Sequence, residues 1–143
     1  MTADRIEGHC LCGAVRISLD RPKHSVEICH CDMCRRWGGA FYSALSGESF
    51  TISGEDAVKV YKSSDWAERA FCGTCGSNLW YRFLPTGNRS FLAGLFSDAD
   101  QYPVEKEIFT DEQAKWCDLS GKHPRQTGAE VLAEAKAAGF SFD

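Results

Sequence analysis

The sequence predicts a mostly β domain closed by one C-terminal helix. Three observations lead there: short runs in which apolar and polar residues alternate, turn-forming residues between those runs, and a helix-capping signature near the C-terminal end.

The elements follow in order. Val15, Ile17 and Leu19 alternate with Arg16, Ser18 and Asp20, the pattern of a half-buried strand, and Arg21-Pro22-Lys23 breaks it. Val26 and Ile28 alternate into Cys29, so that cysteine sits at a strand end. Residues 32–37 suit a single helical turn, stopped by Gly38-Gly39. Residues 41–45, 50–52 and 58–61 read as short strands, with Gly54-Glu55-Asp56 turning between the last two. Residues 67–71 enter the Cys72 turn and 79–84 leave it, before Pro85-Thr86-Gly87-Asn88 makes a hairpin-type connection. Residues 91–96 form an apolar run of strand length, and 108–110 a further short strand. Thr127-Gly128-Ala129-Glu130 is a capping box. Val131, Leu132 and Ala135 follow at helical spacing and Gly139 ends the run, giving a helix over about 128–138 that packs against the sheet or a second subunit. No repeat, low-complexity tract or linker interrupts residues 1–143, so one domain is expected.

Composition narrows the function. The 143 residues are 43% hydrophobic with nine Phe and four Trp, enough for a real core, where Trp37, Trp66, Trp80 and Trp116 are expected. A net charge of −4 without a basic block disfavours a nucleic-acid partner. Met1-Thr2-Ala3-Asp4-Arg5 lacks the apolar core of a signal peptide, and no apolar run approaches the roughly 18 residues of a membrane span. The expectation is a cytoplasmic protein with no membrane partner. Cysteines clustered in a reducing compartment more often bind metal than form disulfides.

Seven of the eight cysteines fall in three tight groups: Cys10-x-Cys12, Cys29-x-Cys31-x-x-Cys34 and Cys72-x-x-Cys75. Neighbours this close are strained as disulfides, whereas a tight turn aims two sulfurs at one point, as a tetrahedral zinc ion needs. Gly13, Gly73 and Gly76 follow cysteines where such turns often need a positive φ. Four thiolates close a structural site, and three leave a position for water or substrate. Spacing does not say which cysteines group. Joining Cys31 and Cys34 with Cys72 and Cys75, as in a zinc ribbon, strands three; pairing Cys10 and Cys12 with Cys72 and Cys75, and keeping Cys29, Cys31 and Cys34 together, strands none. Cys117 stands apart and is read as a partly buried free thiol.

Three stretches carry a resemblance: Gly8-His9-Cys10-Leu11-Cys12-Gly13-Ala14-Val15-Arg16, Cys29-His30-Cys31-Asp32-Met33-Cys34-Arg35-Arg36, and Phe71-Cys72-Gly73-Thr74-Cys75-Gly76-Ser77. Together, within a core of about residues 5–117, they resemble the glutathione-dependent formaldehyde-activating enzyme family, whose domain also occurs in centromere protein V. The resemblance implies a β-tent fold of short antiparallel strands. It also implies two zinc ions: a structural one on Cys10, Cys12, Cys72 and Cys75, and a catalytic one on Cys29, Cys31 and Cys34. The activity it implies is that of a carbon–sulfur lyase or synthase, joining glutathione and formaldehyde into S-hydroxymethylglutathione.

Glutathione, or another small thiol with carboxylates, would need cations nearby. Arg35 and Arg36 directly follow the three-cysteine group and are the substrate-binding candidates, with Arg89, placed on a turn, a weaker one. His30 is read as a hydrogen-bonded structural residue, with a proton shuttle as the alternative; His9 is structural, and His24 and His123 are surface loop residues. Two rival functions stay open: a non-catalytic module binding glutathione or a protein, and a thiol redox enzyme using Cys117. A homodimer is compatible with the aromatic content and the C-terminal helix.

Overall fold

The computed structural model describes residues 4–142. The signal-peptide reading therefore rests partly on residues 1–3, which lie outside the described residues. Eleven strands are formed among the described residues: β1 (Arg5–His9), β2 (Arg16–Pro22), β3 (Val26–Cys29), β4 (Tyr42–Leu45), β5 (Gly47–Ser53), β6 (Val58–Ser64), β7 (Ala67–Cys72), β8 (Asn78–Phe83), β9 (Asn88–Leu92), β10 (Val104–Ile108) and β11 (Arg125–Gln126). Two helices join them, α1 (Asp32–Gly38) and α2 (Gly128–Ala137). The mostly β class with a C-terminal helix is thus what the chain adopts. By backbone proximity the chain divides into two compact units, Met1–Val26 with Ala44–Pro103, and Glu27–Ser43 with Val104–Asp143.

In the first unit, β2 lies between β1 and β5, antiparallel to both. Alternation sets the faces. Ile17 and Leu19, with Ile6 opposite Leu19, are fully buried, while Arg16 faces water. The strand does not break at Arg21 as expected. Arg21 takes a positive φ of 45°, and Pro22 still pairs with Gly47. Strands β6 to β9 form an antiparallel meander, and Ala44 and Leu45 of β4 pair with Leu92 and Phe91 of β9. Phe91 is its packing centre, with ring centroids of Phe50, Trp80 and Phe96 at 5.2, 6.0 and 6.4 Å. The strand expected over 91–96 stops at Leu92, and 3₁₀ turns follow. The reason is spacing: Ala93, Phe96 and Ala99 are buried and recur every third residue, the period of a 3₁₀ turn rather than a strand.

In the second unit, β3 neighbours β10, and His30 N–H donates to Ile108 O at 3.0 Å. β10 in turn pairs with β11, and this pair is parallel, a departure from the all-antiparallel expectation. The strand predicted over 108–110 lies earlier because Phe109 turns into the left-handed region at φ 56°. Helix α2 has the predicted capping box, Thr127 with Glu130, and Gly139 follows it at φ 95°. Its start is tied down by Gly128 N–H donating to Asp111 Oδ1 at 2.7 Å, yet Gly128 is its only buried residue. No helix among the described residues is long and apolar enough to cross a membrane.

The tryptophans divide. Trp80 is buried as expected, Trp37 and Trp66 are half-buried, and Trp116 is 73% exposed, so it is not a core residue. Its neighbour Cys117 supplies the buried side chain of that turn.

Truncating the packing centre should show which apolar residues carry the fold. Phe91→Ala is expected to cost about 3–5 kcal/mol in urea unfolding, against roughly 0.5 kcal/mol or less for Leu132→Ala on the exposed side of α2.

Candidate metal centres and a buried histidine–carboxylate cluster

Two groups of cysteine sulfurs converge, each with all its sulfurs within 4.8 Å of one another: Cys10, Cys12, Cys72 and Cys75 in the first unit, and Cys29, Cys31 and Cys34 in the second. All eight cysteines are free thiols. The ribbon-like grouping of Cys31 and Cys34 with Cys72 and Cys75 is not what the fold brings together.

The four-sulfur group is made by two turns. The Cys10 turn follows β1 and closes with Gly13 N–H donating to Cys10 O at 3.1 Å. The Cys72 turn links β7 to β8 and closes with Gly76 N–H donating to Cys72 O at 2.8 Å. Gly13 and Gly76 each sit at φ 81°, as turns wrapped around a common point require. Gly73 does not; there a Cβ would meet Lys59 Cγ at 2.9 Å, so that position needs smallness instead. Ser77 joins the turns, accepting from Leu11 N–H at 3.0 Å and lying 3.2 Å from Cys75 Sγ. Nothing but its place in the motif marks Ser77 in the sequence.

The geometry fits a tetrahedral ion. Arms of about 2.3 Å give a tetrahedron with edges of about 3.8 Å. Cys10 Sγ lies 3.6 Å from Cys12 Sγ, and Cys12 Sγ lies 3.8 Å from Cys72 Sγ. The electrostatics point the same way. Ser77, through its hydroxyl and its N–H, pulls the Cys75 thiol down to about 5. The N–H of Ala14 favours the Cys12 thiolate, yet burial and the thiols of Cys10, Cys75 and Cys72 outweigh it and push Cys12 up to about 11. Thiols this crowded oppose one another's ionisation, and a cation among them removes the conflict.

The three-sulfur group sits on β3 and α1. Cys29 ends β3, Cys31 caps α1 by accepting from Cys34 N–H at 3.4 Å, and Cys34 is the buried residue of that helix. Cys31 and Cys34, with burial added, drive the Cys29 thiol well above its ordinary range. Glu112, which the sequence does not single out, clamps the helix: its Oε1 accepts from Asp32 N–H at 3.2 Å, and its backbone O accepts from Arg35 Nη1 at 3.1 Å. The predicted cations both lie on this helix. Arg35 is half-buried, and Arg36 is exposed and pairs with Asp32 at 3.0 Å. Arg89 lies on β9, not on a turn.

Between Cys29 and Cys31, His30 is 0% exposed. Its Nε2 donates to Glu107 Oε1 at 2.6 Å. The other carboxylate oxygen of Glu107 accepts from His123 Nε2 at 2.6 Å and from Arg125 Nε at 2.9 Å. His123 is therefore not a surface residue; its side chain is 5% exposed. His24 does sit at the surface, edge-on to Tyr102. Burial alone would raise the Glu107 carboxyl. The hydrogen bonds from His123 and His30, with the charge of Arg125, more than offset it and hold the group below its ordinary 4.5.

Glu107→Gln removes the charge that joins two histidines and an arginine. It should cost about 2–4 kcal/mol in denaturant unfolding near neutral pH. Because the folded carboxyl binds its proton more weakly than the unfolded one, its contribution is complete above pH 4.5 and fades as pH falls through the lower folded value. Stability of the parent should therefore drop more steeply below pH 4.5 than that of Glu107→Gln, read from unfolding midpoints across that range.

The family model for the glutathione-dependent formaldehyde-activating enzyme matches residues 5–112. An uncharacterized lyase of Schizosaccharomyces pombe is 30% identical over 128 residues, covering 88% of this chain and 93% of that protein. A putative glutathione-dependent formaldehyde-activating enzyme of Halomonas elongata is 28% identical over 129 residues, covering 82% of each. A crystal structure of a Rhodobacter sphaeroides protein superposes with a TM-score of 0.55 at 22% identity, covering 69% of this chain and 99% of that one, a likeness of fold. With three-quarters of its length matched by the family model, and cysteine turns where the resembling motifs lie, the chain belongs to the glutathione-dependent formaldehyde-activating enzyme family.

Proposed function

We propose that this chain is a zinc-dependent carbon–sulfur lyase or synthase acting on the adduct of a small thiol, such as glutathione, with an aldehyde. The observation that carries the reading is the unequal pair of sulfur groups, one with four donors and one with three. Four thiolates satisfy a tetrahedral ion, so Cys10, Cys12, Cys72 and Cys75 would hold a structural zinc. Cys29, Cys31 and Cys34 would hold a second one with a coordination position left for substrate. The relatives named a lyase and a putative glutathione-dependent formaldehyde-activating enzyme support the reaction class.

Zinc bound by the three thiolates would favour the ionised form of a substrate thiol near neutral pH. In the synthetic direction the thiol loses its proton, a sulfur–carbon bond forms to the aldehyde carbon, and the former carbonyl oxygen gains a proton as hydroxyl. The reverse cleaves that bond and restores thiol and aldehyde. The chain's own part is to place the reactants. Cys29, Cys31 and Cys34 hold the reacting end, and Arg35 and Arg36 would take the carboxylates at the other. Arg36 is free to do so only by exchanging Asp32, an exposed partner of little energetic weight. His30, locked by Glu107, anchors the turn between two ligands and keeps its shape without substrate. The family match at residues 5–112 includes parts of both compact units, which supports treating residues 1–143 as one functional domain.

Cys31→Ser is expected to lower bound zinc from about two ions to about one per chain by elemental analysis, and to abolish turnover of formaldehyde with glutathione above the spontaneous rate. Retained turnover would refute the assignment. Cys12→Ser should instead weaken the closed site, and unfolding should become sensitive to chelator at concentrations the parent tolerates.

A further inference from the structure

Apart from the cysteine turns, the first unit has a groove of about 520 Å³ between β5, β6, β8 and β9. Its lining is about half apolar, from Phe50, Ile52, Val58, Val60 and Trp80, with Glu55 and Arg89 as its charged groups, and no cysteine lines it. Phe50 and Val60 are exposed, so the walls are open to whatever enters. One cation reaches into this surface. Arg89 projects its guanidinium over the Phe50 ring at 4.7 Å and over the Trp80 ring at 5.1 Å.

Arg89 is poorly compensated. Among the described residues it has no carboxylate at ion-pair distance, and its Nε is buried without a hydrogen-bond partner. Arg82 lies directly across from it in the β8–β9 register, and like charges in such pairs repel. Arg82 has Glu68 at 3.1 Å, although its Nε too lacks a hydrogen-bond partner; Arg89 has the two rings and, beyond ion-pair distance, the charges of Glu55 and Glu68. Burial and the charge of Arg82 lower the pKa of Arg89 by more than the charges of Glu55 and Glu68 raise it. Rings cover the faces of a guanidinium but leave its N–H edge, where an acceptor lies in plane. A carboxylate matches that edge with two parallel hydrogen bonds. Glu55 also lines the groove, and its charge repels any anion, a doubly charged one such as phosphate more than a monocarboxylate.

We infer that this groove is a binding site for a small organic monocarboxylate with an aromatic or aliphatic body, its carboxylate on Arg89 and its body between Phe50, Val58, Val60 and Trp80. A groove of this size suits a ligand of that scale, with one polar anchor fixing its orientation. The site does not depend on the metal reading, since none of its contacts involves a thiol.

The test is a titration of the metal-replete full chain with phenylacetate, phenylacetamide, acetate and inorganic phosphate, followed by amide NMR shifts and calorimetry. Phenylacetate should saturate, with shifts confined to β5, β6, β8 and β9. The neutral amide, the bare acetate and phosphate should each bind at least about tenfold more weakly. Arg89→Gln should weaken phenylacetate by at least about tenfold. Val58→Trp, which fills the groove and keeps the cation, should do the same. Equal affinity for acid and amide, equal or better binding of phosphate, unchanged affinity in either folded variant, or no saturation up to about 10 mM would each overturn the inference. Should Arg89→Gln fail to fold, Val58→Trp and the ligand series decide it alone.

Discussion

The structure depends on sulfur crowding. Two small volumes of the protein each contain several thiols close enough that ionising one hinders the next, in keeping with the upward push on Cys12 in one and on Cys29 in the other. Such crowding is costly for a bare protein and favourable around a cation, because the same charges that repel one another all attract the ion. The strands supply what this needs. β1, β7 and β8 bring two tight turns together in the first unit, and β3 with α1 presents three sulfurs from one short segment in the second. Turn closure by backbone hydrogen bonds and the left-handed glycines Gly13 and Gly76 holds the donors in place without help from long side chains.

The two sulfur groups are supported differently, and the difference fits their proposed roles. The four-donor group is built from turns at strand ends, cross-linked by the Ser77 hydroxyl. The three-donor group rests on side chains from beyond its own segment. Glu112 bonds the start of α1 and the guanidinium of Arg35, and Glu107 holds His30 between two of the cysteines. With one donor fewer, a centre would keep less of its geometry from an ion and more from its surroundings, so a rigid polar frame suits the reactive role proposed for it. The buried Glu107 is stable as a carboxylate because two histidines and Arg125 satisfy both of its oxygens.

The proposed anion recognition differs from the proposed metal binding in residue type. At the cysteine groups, thiols within 4.8 Å of one another would suit a cation. At the Arg89 groove a cation is held on aromatic faces and left short of acceptors. Both follow from one rule: a buried or half-buried charge whose partners are incomplete within the chain is a place for a ligand. Arg82, across from Arg89 on β8, has Glu68 at 3.1 Å, although its Nε is likewise without a hydrogen-bond partner.

Much of this was legible in the residues because its causes are local. Alternation set the faces of β2 and β3, the Thr127 and Glu130 pair set the start of α2, and the close spacing of cysteines marked the groups that could hold a metal, since each depends on neighbours within a few positions. Which distant pairs share a site was another matter. Cys10 and Cys72 are brought together by strand packing; spacing alone did not exclude a ribbon-like grouping, although that one would have stranded three cysteines. The failures have the same origin. His123, Glu107 and Glu112 look like ordinary polar residues in sequence, and only tertiary contacts far along the chain bury the first two and set the third against α1. Residues 93–99 carry an apolar period of three that a strand reading passes over, and Trp116 is exposed because Cys117 takes the inward position of its turn. Local sequence thus determined most of the elements and which cysteines cluster as possible metal ligands. Long-range packing decided which groups meet and which charges are left without partners, because burial is a property of the folded whole and not of any segment.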